Sequence, residues 1–151
     1  MLGKLSDKQI DELLYSQSVG RLGCYADGKI YVVPVTYVYD GQNIICHTRK
    51  GMKLEMMRKN PDVCFEVDKM ENMANWQSVI AWGTFTELNG EDAEMAMQKM
   101  LMKLQPHLTS ETARPHDPGN SEERRATRGL TDIIYQIVIK ERTGRFEKHL
   151  K

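Results

Sequence analysis

Ile30-Tyr31-Val32-Val33-Pro34-Val35-Thr36-Tyr37-Val38-Tyr39 is the stretch that decides the fold. It reads as a strand with two apolar faces. Alternation sends Tyr31, Val33, Val35 and Tyr37 one way and Ile30, Val32 and Val38 the other. One face fills a barrel, and the other needs cover from a partner chain or a cofactor. Pro34 cannot donate to a sheet ladder. It marks an edge, a bulge or a place where something else approaches the backbone.

Working outward, Val19 to Ala26 reads as the preceding strand, joined by the turn signal Asp27-Gly28. Asp40-Gly41 leads into a third strand, Asn43 to Thr48, completing a meander. Upstream, Ser6 and Gln9 make a capping box for a helix with Ile10, Leu13 and Leu14 on one face, ending before Gly20. Downstream, Met52 to Lys59 reads as a short helix closed by Asn60-Pro61. Val63 to Val67 is a strand, Met70 to Ala74 a loop, and Trp76 to Leu88 a long strand. Glu91 to Leu104 is a helix with Ala93, Met97, Met100, Leu101 and Leu104 on one face. Asp132 to Lys140 is the last strand. Between them, Gln105 to Leu130 is polar and without periodicity. A loop of that length is functional or mobile, and its Arg114, Arg124, Arg125 and Arg128 contact an anionic group or only solvent. The expectation is a mainly β chain, a single domain over residues 1–151. Six antiparallel strands form a Greek-key-like barrel with helices outside.

Lys plus Arg and Asp plus Glu are 21 each in 151 residues, which argues against a general nucleic-acid binder. Cys24, Cys46 and Cys64 form no C-x-x-C pair and sit in apolar runs, as buried thiols do in a reducing compartment. Met1 to Leu5 lacks the apolar core of a signal peptide, and no segment approaches the roughly 20 apolar residues of a membrane helix. These features place the chain in the cytoplasm, away from membranes. His107, His116 and His149 show no ligand spacing, so no metal site is expected.

Three stretches carry candidate chemistry. His47-Thr48-Arg49-Lys50-Gly51-Met52-Lys53 leaves a strand, turns at glycine and enters a helix. A helix N-terminus with Lys50, Lys53 and Thr48 around it makes a phosphate cradle, although the Walker A spacing is absent. The bland alternative is a solvated basic turn. Val33-Pro34-Val35-Thr36 presents extended backbone to a flat polar-edged ring, or is simply an edge strand. Trp76-Gln77-Ser78 offers a stacking face and a hydroxyl, or a core or interface tryptophan.

These motifs occur in an order that resembles a known family. Gly20-Arg21-Leu22-Gly23, Tyr31 to Val35, Ile45-Cys46-His47-Thr48-x-x-Gly51-x-Lys53, Asn60-Pro61-x-Val63-Cys64-Phe65, Trp76-x-Ser78-Val79 with Gly83, and Thr143-Gly144-Arg145 resemble the pyridoxamine 5′-phosphate oxidase-like split barrels. The branch most similar is that of the Nim-type nitroimidazole resistance proteins. The resemblance implies a homodimer with two flavin mononucleotide (FMN) sites at the subunit interface. It implies that Thr48, Lys50, Gly51 and Lys53 hold the phosphate, with His47 beside the flavin and the substrate. Val33, Pro34, Val35 and Thr36 would follow the flavin edge, and Trp76, Gln77 and Ser78 would approach from the other subunit.

His47 is then a candidate proton donor to a reduced product, since histidine titrates near neutral pH. A phosphate or ribityl contact, or simple packing, is its alternative role. The parent oxidases' substrate-phosphate motif is not recognisable in Glu141-Arg142-Thr143-Gly144-Arg145. Oxidation of pyridoxamine phosphate is therefore not the expectation. The expected activity is reduction of a nitroaromatic or quinone-like acceptor, with NAD(P)H as a donor. The rivals are a redox sensor or carrier without turnover, and a barrel that takes haem or a deazaflavin.

Overall fold

The stretch that decides the fold serves both edges of one sheet. The computed structural model describes residues 1–104 and 132–149. In chain order these form β1 (Leu2–Lys4), α1 (Asp7–Ser16), β2 (Val19–Ala26), β3 (Lys29–Thr36), β4 (Val38–Tyr39), β5 (Asn43–Thr48), α2 (Met52–Lys59), β6 (Asp62–Asn72), β7 (Asn75–Glu87), α3 (Gly90–Leu104) and β8 (Ile133–Glu147). The sheet runs β3-β2-β6-β7-β8-β5-β4, with β1 added beside β8. All pairs are antiparallel. Its two ends, β3 and β4, are separated in the chain by Tyr37 alone. The sheet therefore curls back on itself, as a split barrel does.

Tyr37 is the point where the chain changes partner. Thr36 pairs with Val19 and Val38 with Ile45. The Tyr37 side chain is fully buried. Its hydroxyl donates to Leu14 O at 2.7 Å and its N–H to Ser18 O at 3.0 Å. Its ring meets Phe65 edge-on at 5.3 Å, and Lys103 Nζ lies 4.7 Å from the ring centroid.

The first hairpin forms as anticipated, with Asp27 (φ 51°) and Gly28 (φ 77°) both left-handed at its turn. The second step of the meander forms only at its end: across the Asp40-Gly41 turn Val38–Tyr39 pairs with β5, whereas Lys29–Thr36 does not, and the other edge of β5 pairs with β8. Its backbone groups are taken by the last strand of the chain, which the local pattern cannot reveal. The six anticipated strands become eight, because β1 is too short to show a period and the doubly apolar strand divides. β6 continues through the anticipated loop to Asn72, and β8 runs past Lys140 to Glu147. Both extensions are polar, so they lack the alternation that marks a half-buried strand. In α3 the anticipated Met97 and Met100 are buried and Ala93 and Leu104 pack beside them; Ala96 is buried as well, while Leu101 is 49% exposed. Gln105 to Leu130 lies outside the described residues.

The interior holds Leu14, Leu22, Ile44, Phe65, Val79 and Ile137 among others. A second cluster lies outside the sheet, where Val38, Ile45 and Ile134 are covered by α3. The capping box at Ser6 and Gln9 is present. α1 is pinned to the sheet by Arg142, whose Nη1 donates to Asp11 Oδ1 at 2.6 Å and to Tyr39 Oη at 3.0 Å. That hydrogen bond also holds the Asp11 carboxyl below its ordinary range. No helix among the described residues is long and apolar enough to cross a membrane.

Candidate functional site

The basic turn has the geometry of an anion cradle. β5 ends at Thr48, and Arg49-Lys50-Gly51 turn the chain into α2. Gly51 is the N-cap, in extended backbone, and α2 has no side-chain cap. The first intrahelical bond runs from Glu55 N–H to Gly51 O at 3.1 Å. The N–H groups of the first turn, at Met52, Lys53 and Leu54, thus lie at an uncapped, positive helix end. Gly51 is exposed, and a Cβ built on it would meet nothing within 4 Å. Lys50 is exposed and Lys53 half-buried. Thr48 is buried, with its hydroxyl donating to Arg49 O at 2.9 Å.

His47 and Cys46 point to opposite faces of β5. His47 is exposed, while Cys46 is fully buried opposite Tyr135. Burial pushes the Cys46 thiol up to about 12, which makes it an inert core thiol. The Tyr135 hydroxyl beside it is buried without a hydrogen-bond partner among the described residues.

The Val33-Pro34-Val35-Thr36 stretch divides by face. Val33 is half-buried and Val35 buried against the core, whereas Pro34 and Thr36 face outward. β3 is an edge strand, the position that tolerates a proline. Further along it, Ile30 is 74% and Val32 64% exposed. Across the sheet, Val32 shares a row with Gly23, Cys64 and the partly exposed Trp82. This is the uncovered half of the doubly apolar stretch.

The next two rows contain Glu66 and Asp68, which the sequence reading passed over. Pro34 pairs with Arg21, Arg21 with Glu66, and Asp68 with Ser78, all on the outward face. Ser78 Oγ donates to Glu66 Oε2 at 3.3 Å. Arg21 Nη1 lies 3.4 Å from Asp68 Oδ2 and 3.9 Å from Glu66 Oε1. Burial, then the shared hydrogen bond and charge of Asp68, raise the Glu66 carboxyl to about 7. Ser78 and Arg21 pull it the other way. The signal was available, because Glu66 and Asp68 alternate with the inward Phe65 and Val67. Ending the strand at Val67 hid it.

Trp76, Gln77 and Ser78 begin β7 and are all half-buried. Trp76 Nε1 donates to Glu147 Oε1 at 3.2 Å. Trp76 and Gln77 line a cleft of about 240 Å³ together with Lys69, Phe146 and Lys148. The fold does not bring these residues to the cradle of the same chain. Thr48 pairs with the first residue of β8, Ile133, and Trp76 with the last, Glu147. Arg142 is engaged with α1, so it is not presented as a substrate-phosphate ligand. Among the described residues no group of three His, Cys, Asp or Glu side chains is placed to hold a metal.

Residues 6–146 match the model of the family described as pyridoxamine 5′-phosphate oxidase. An uncharacterized protein from Rhizobium meliloti is 30% identical over 84 residues, and the match spans 56% of this chain and 56% of that relative. The crystal structure of a FAD-binding protein from Mesorhizobium loti superposes with a TM-score of 0.78 at 26% identity, covering 99% of this chain and 98% of the other. A structure assigned to 5-nitroimidazole antibiotic resistance, from Bacteroides thetaiotaomicron, has a TM-score of 0.69 at 17% identity, covering 97% and 87%. The latter likeness is one of fold. With the curled antiparallel sheet and the uncapped α2, these matches have one reading: the chain belongs to the pyridoxamine 5′-phosphate oxidase family of flavin-binding split barrels.

Proposed function

We propose that this protein binds FMN between two copies of the chain in the cytoplasm and uses it to reduce a small acceptor, a nitroaromatic or quinone-like compound, with NAD(P)H as donor. The observation that carries the reading is the uncapped N-terminus of α2, flanked by Lys50 and Lys53. Two cations and a positive helix end suit a doubly charged phosphate. Thr48 joins the cradle by turning its hydroxyl from Arg49 O to the phosphate. Val33 to Thr36 follow the ring as edge-strand backbone, and His47 serves as proton donor.

When bound, the flavin supplies the electron pair for the reduction. The chain's own residues bind the phosphate, orient the ring and exclude water from one side. A second copy is part of the proposal for two reasons. Thr48 and Trp76 lie at opposite ends of β8, so Trp76, Gln77 and Ser78 reach a flavin most simply when it is held by the other copy. The same copy would cover Ile30 and Val32.

Replacing Lys53 with alanine removes a charge-assisted phosphate contact. FMN affinity, read by fluorescence quenching, drops by about tenfold to a hundredfold. Unchanged affinity would show that the phosphate sits elsewhere. A parallel titration with FAD decides between the mononucleotide and the dinucleotide, the ligand named for the Mesorhizobium loti protein. Val32→Asp places a charge on the uncovered face. It should yield monomers in light scattering, with monomer stability within about 0.5 kcal/mol of the parent. A flavin-loaded monomer of the unaltered chain would refute the shared site.

A further inference from the structure

Between Pro34 and Ser78 the outward face carries an ionic group that the phosphate cradle does not use. Ser78 Oγ donates to Glu66 Oε2 at 3.3 Å, and Arg21 bridges toward both Asp68 and Glu66. Glu66 Oε1 is buried and has no hydrogen-bond donor among the described residues. An ionised carboxylate would leave that acceptor unsatisfied in a poorly solvated place. A proton on Glu66 removes that charge.

We propose that Glu66 is a positioning residue for Ser78, holding the hydroxyl at the face that the ligand approaches, and that a proton on its carboxyl accompanies ligand binding. The inference rests on the flavin reading, since Ser78 is the group which that reading sets against the ring. A lone serine on a strand populates several rotamers, and the bond to Glu66 selects one. Burial and the neighbouring Asp68 raise the Glu66 carboxyl to about 7, so the proton is held below neutral pH and lost above it. The other ionisable groups on this face include Arg21, Tyr25, Cys64, Glu141, Arg145 and Glu147, the last accepting from Trp76. Burial pushes the Cys64 thiol up and keeps it neutral, and Arg145 is the cross-strand partner of Ser78.

With its proton, Glu66 adds no charge beside Arg21. Without it, a further negative charge stands on the face that an anionic ligand such as FMN would approach. Binding would therefore favour protonated Glu66, and reciprocally the ligand would raise the affinity of Glu66 for its proton.

Two measurements test this. In the flavin-free protein, carbon NMR of labelled carboxyl groups should show Glu66 titrating near neutral pH. Glu66→Gln should remove that step. An ordinary acidic titration of Glu66 would overturn the proposal. In FMN titrations between about pH 6 and 9, the parent should bind about fivefold to tenfold more weakly at the alkaline end. Glu66→Gln keeps the contact to Ser78 and cannot ionise, so its affinity should be flat with pH. Ser78→Ala should lose affinity but keep the slope. A flat parent profile, or unchanged affinity in Ser78→Ala, would overturn the positioning role. Absence of FMN binding at every pH would instead sink the flavin reading, with the carboxyl titration still deciding the Glu66 proton.

Discussion

The N-termini of α1 and α2 are built in opposite ways. At α1, Ser6 Oγ accepts from Gln9 N–H at 3.2 Å, and Gln9 Oε1 accepts from Ser6 N–H at 2.8 Å. The helix closes its own end. At α2 the cap is Gly51, which has no side chain to give, and two lysines stand beside the opening. One end is finished by the chain, and the other is left without a side-chain cap. On the function proposed above, the difference separates a helix start that serves stability from one that serves binding. Both were marked by residue type alone, a serine with a glutamine three residues on, and a glycine among cations.

The contrast is most severely tested by giving α2 the cap it lacks. Gly51→Asp meets no steric obstacle, since its Cβ would enter open space. Its carboxylate should occupy the first-turn N–H groups and repel a phosphate. FMN affinity should fall by at least about a hundredfold, while the flavin-free protein gains about a few tenths of a kcal/mol in urea unfolding. Retained binding would show that the α2 end is not the phosphate seat. The converse change is smaller. Ser6→Ala should cost about 1 kcal/mol of stability and leave FMN affinity unaltered, because that end holds no ligand. A weakened flavin complex in Ser6→Ala would mean the two ends are not independent.

A second contrast lies within the stretch from Lys29 to Tyr39. Val38, on β4, is buried with Ile45 and Ile134 under Met97 and Met100 of α3. Ile30 and Val32, on β3, face outward uncovered. Their side chains belong to the same outward series in the sequence. Alternation states that such a strand has two apolar faces; it does not state what covers either one.

Local chemistry made the capping box, the Asp27-Gly28 turn, the shared face of Tyr31, Val33, Val35 and Tyr37, and the basic turn before α2 legible. Each depends on contacts within a few residues or on a simple period. The partner switch at Tyr37 was not legible, because it is decided by hydrogen bonds to β2 on one side and β5 on the other. The extent of β6 and β8 was also hidden, because their ends are polar on both faces. The Arg21–Glu66–Asp68–Ser78 group spans three strands, so no single window of sequence contains it.

By itself, then, the sequence determined the type and order of most elements, the uncapped basic helix start and the family motifs. These follow from intrinsic backbone preferences and the two periods of secondary structure. Only the tertiary structure decided that one stretch serves both edges of the sheet. It alone placed Thr48 and Trp76 at opposite ends of β8, and Glu66 between Arg21 and Ser78. Those outcomes depend on register between distant strands, set by how the whole sheet closes and buries its interior.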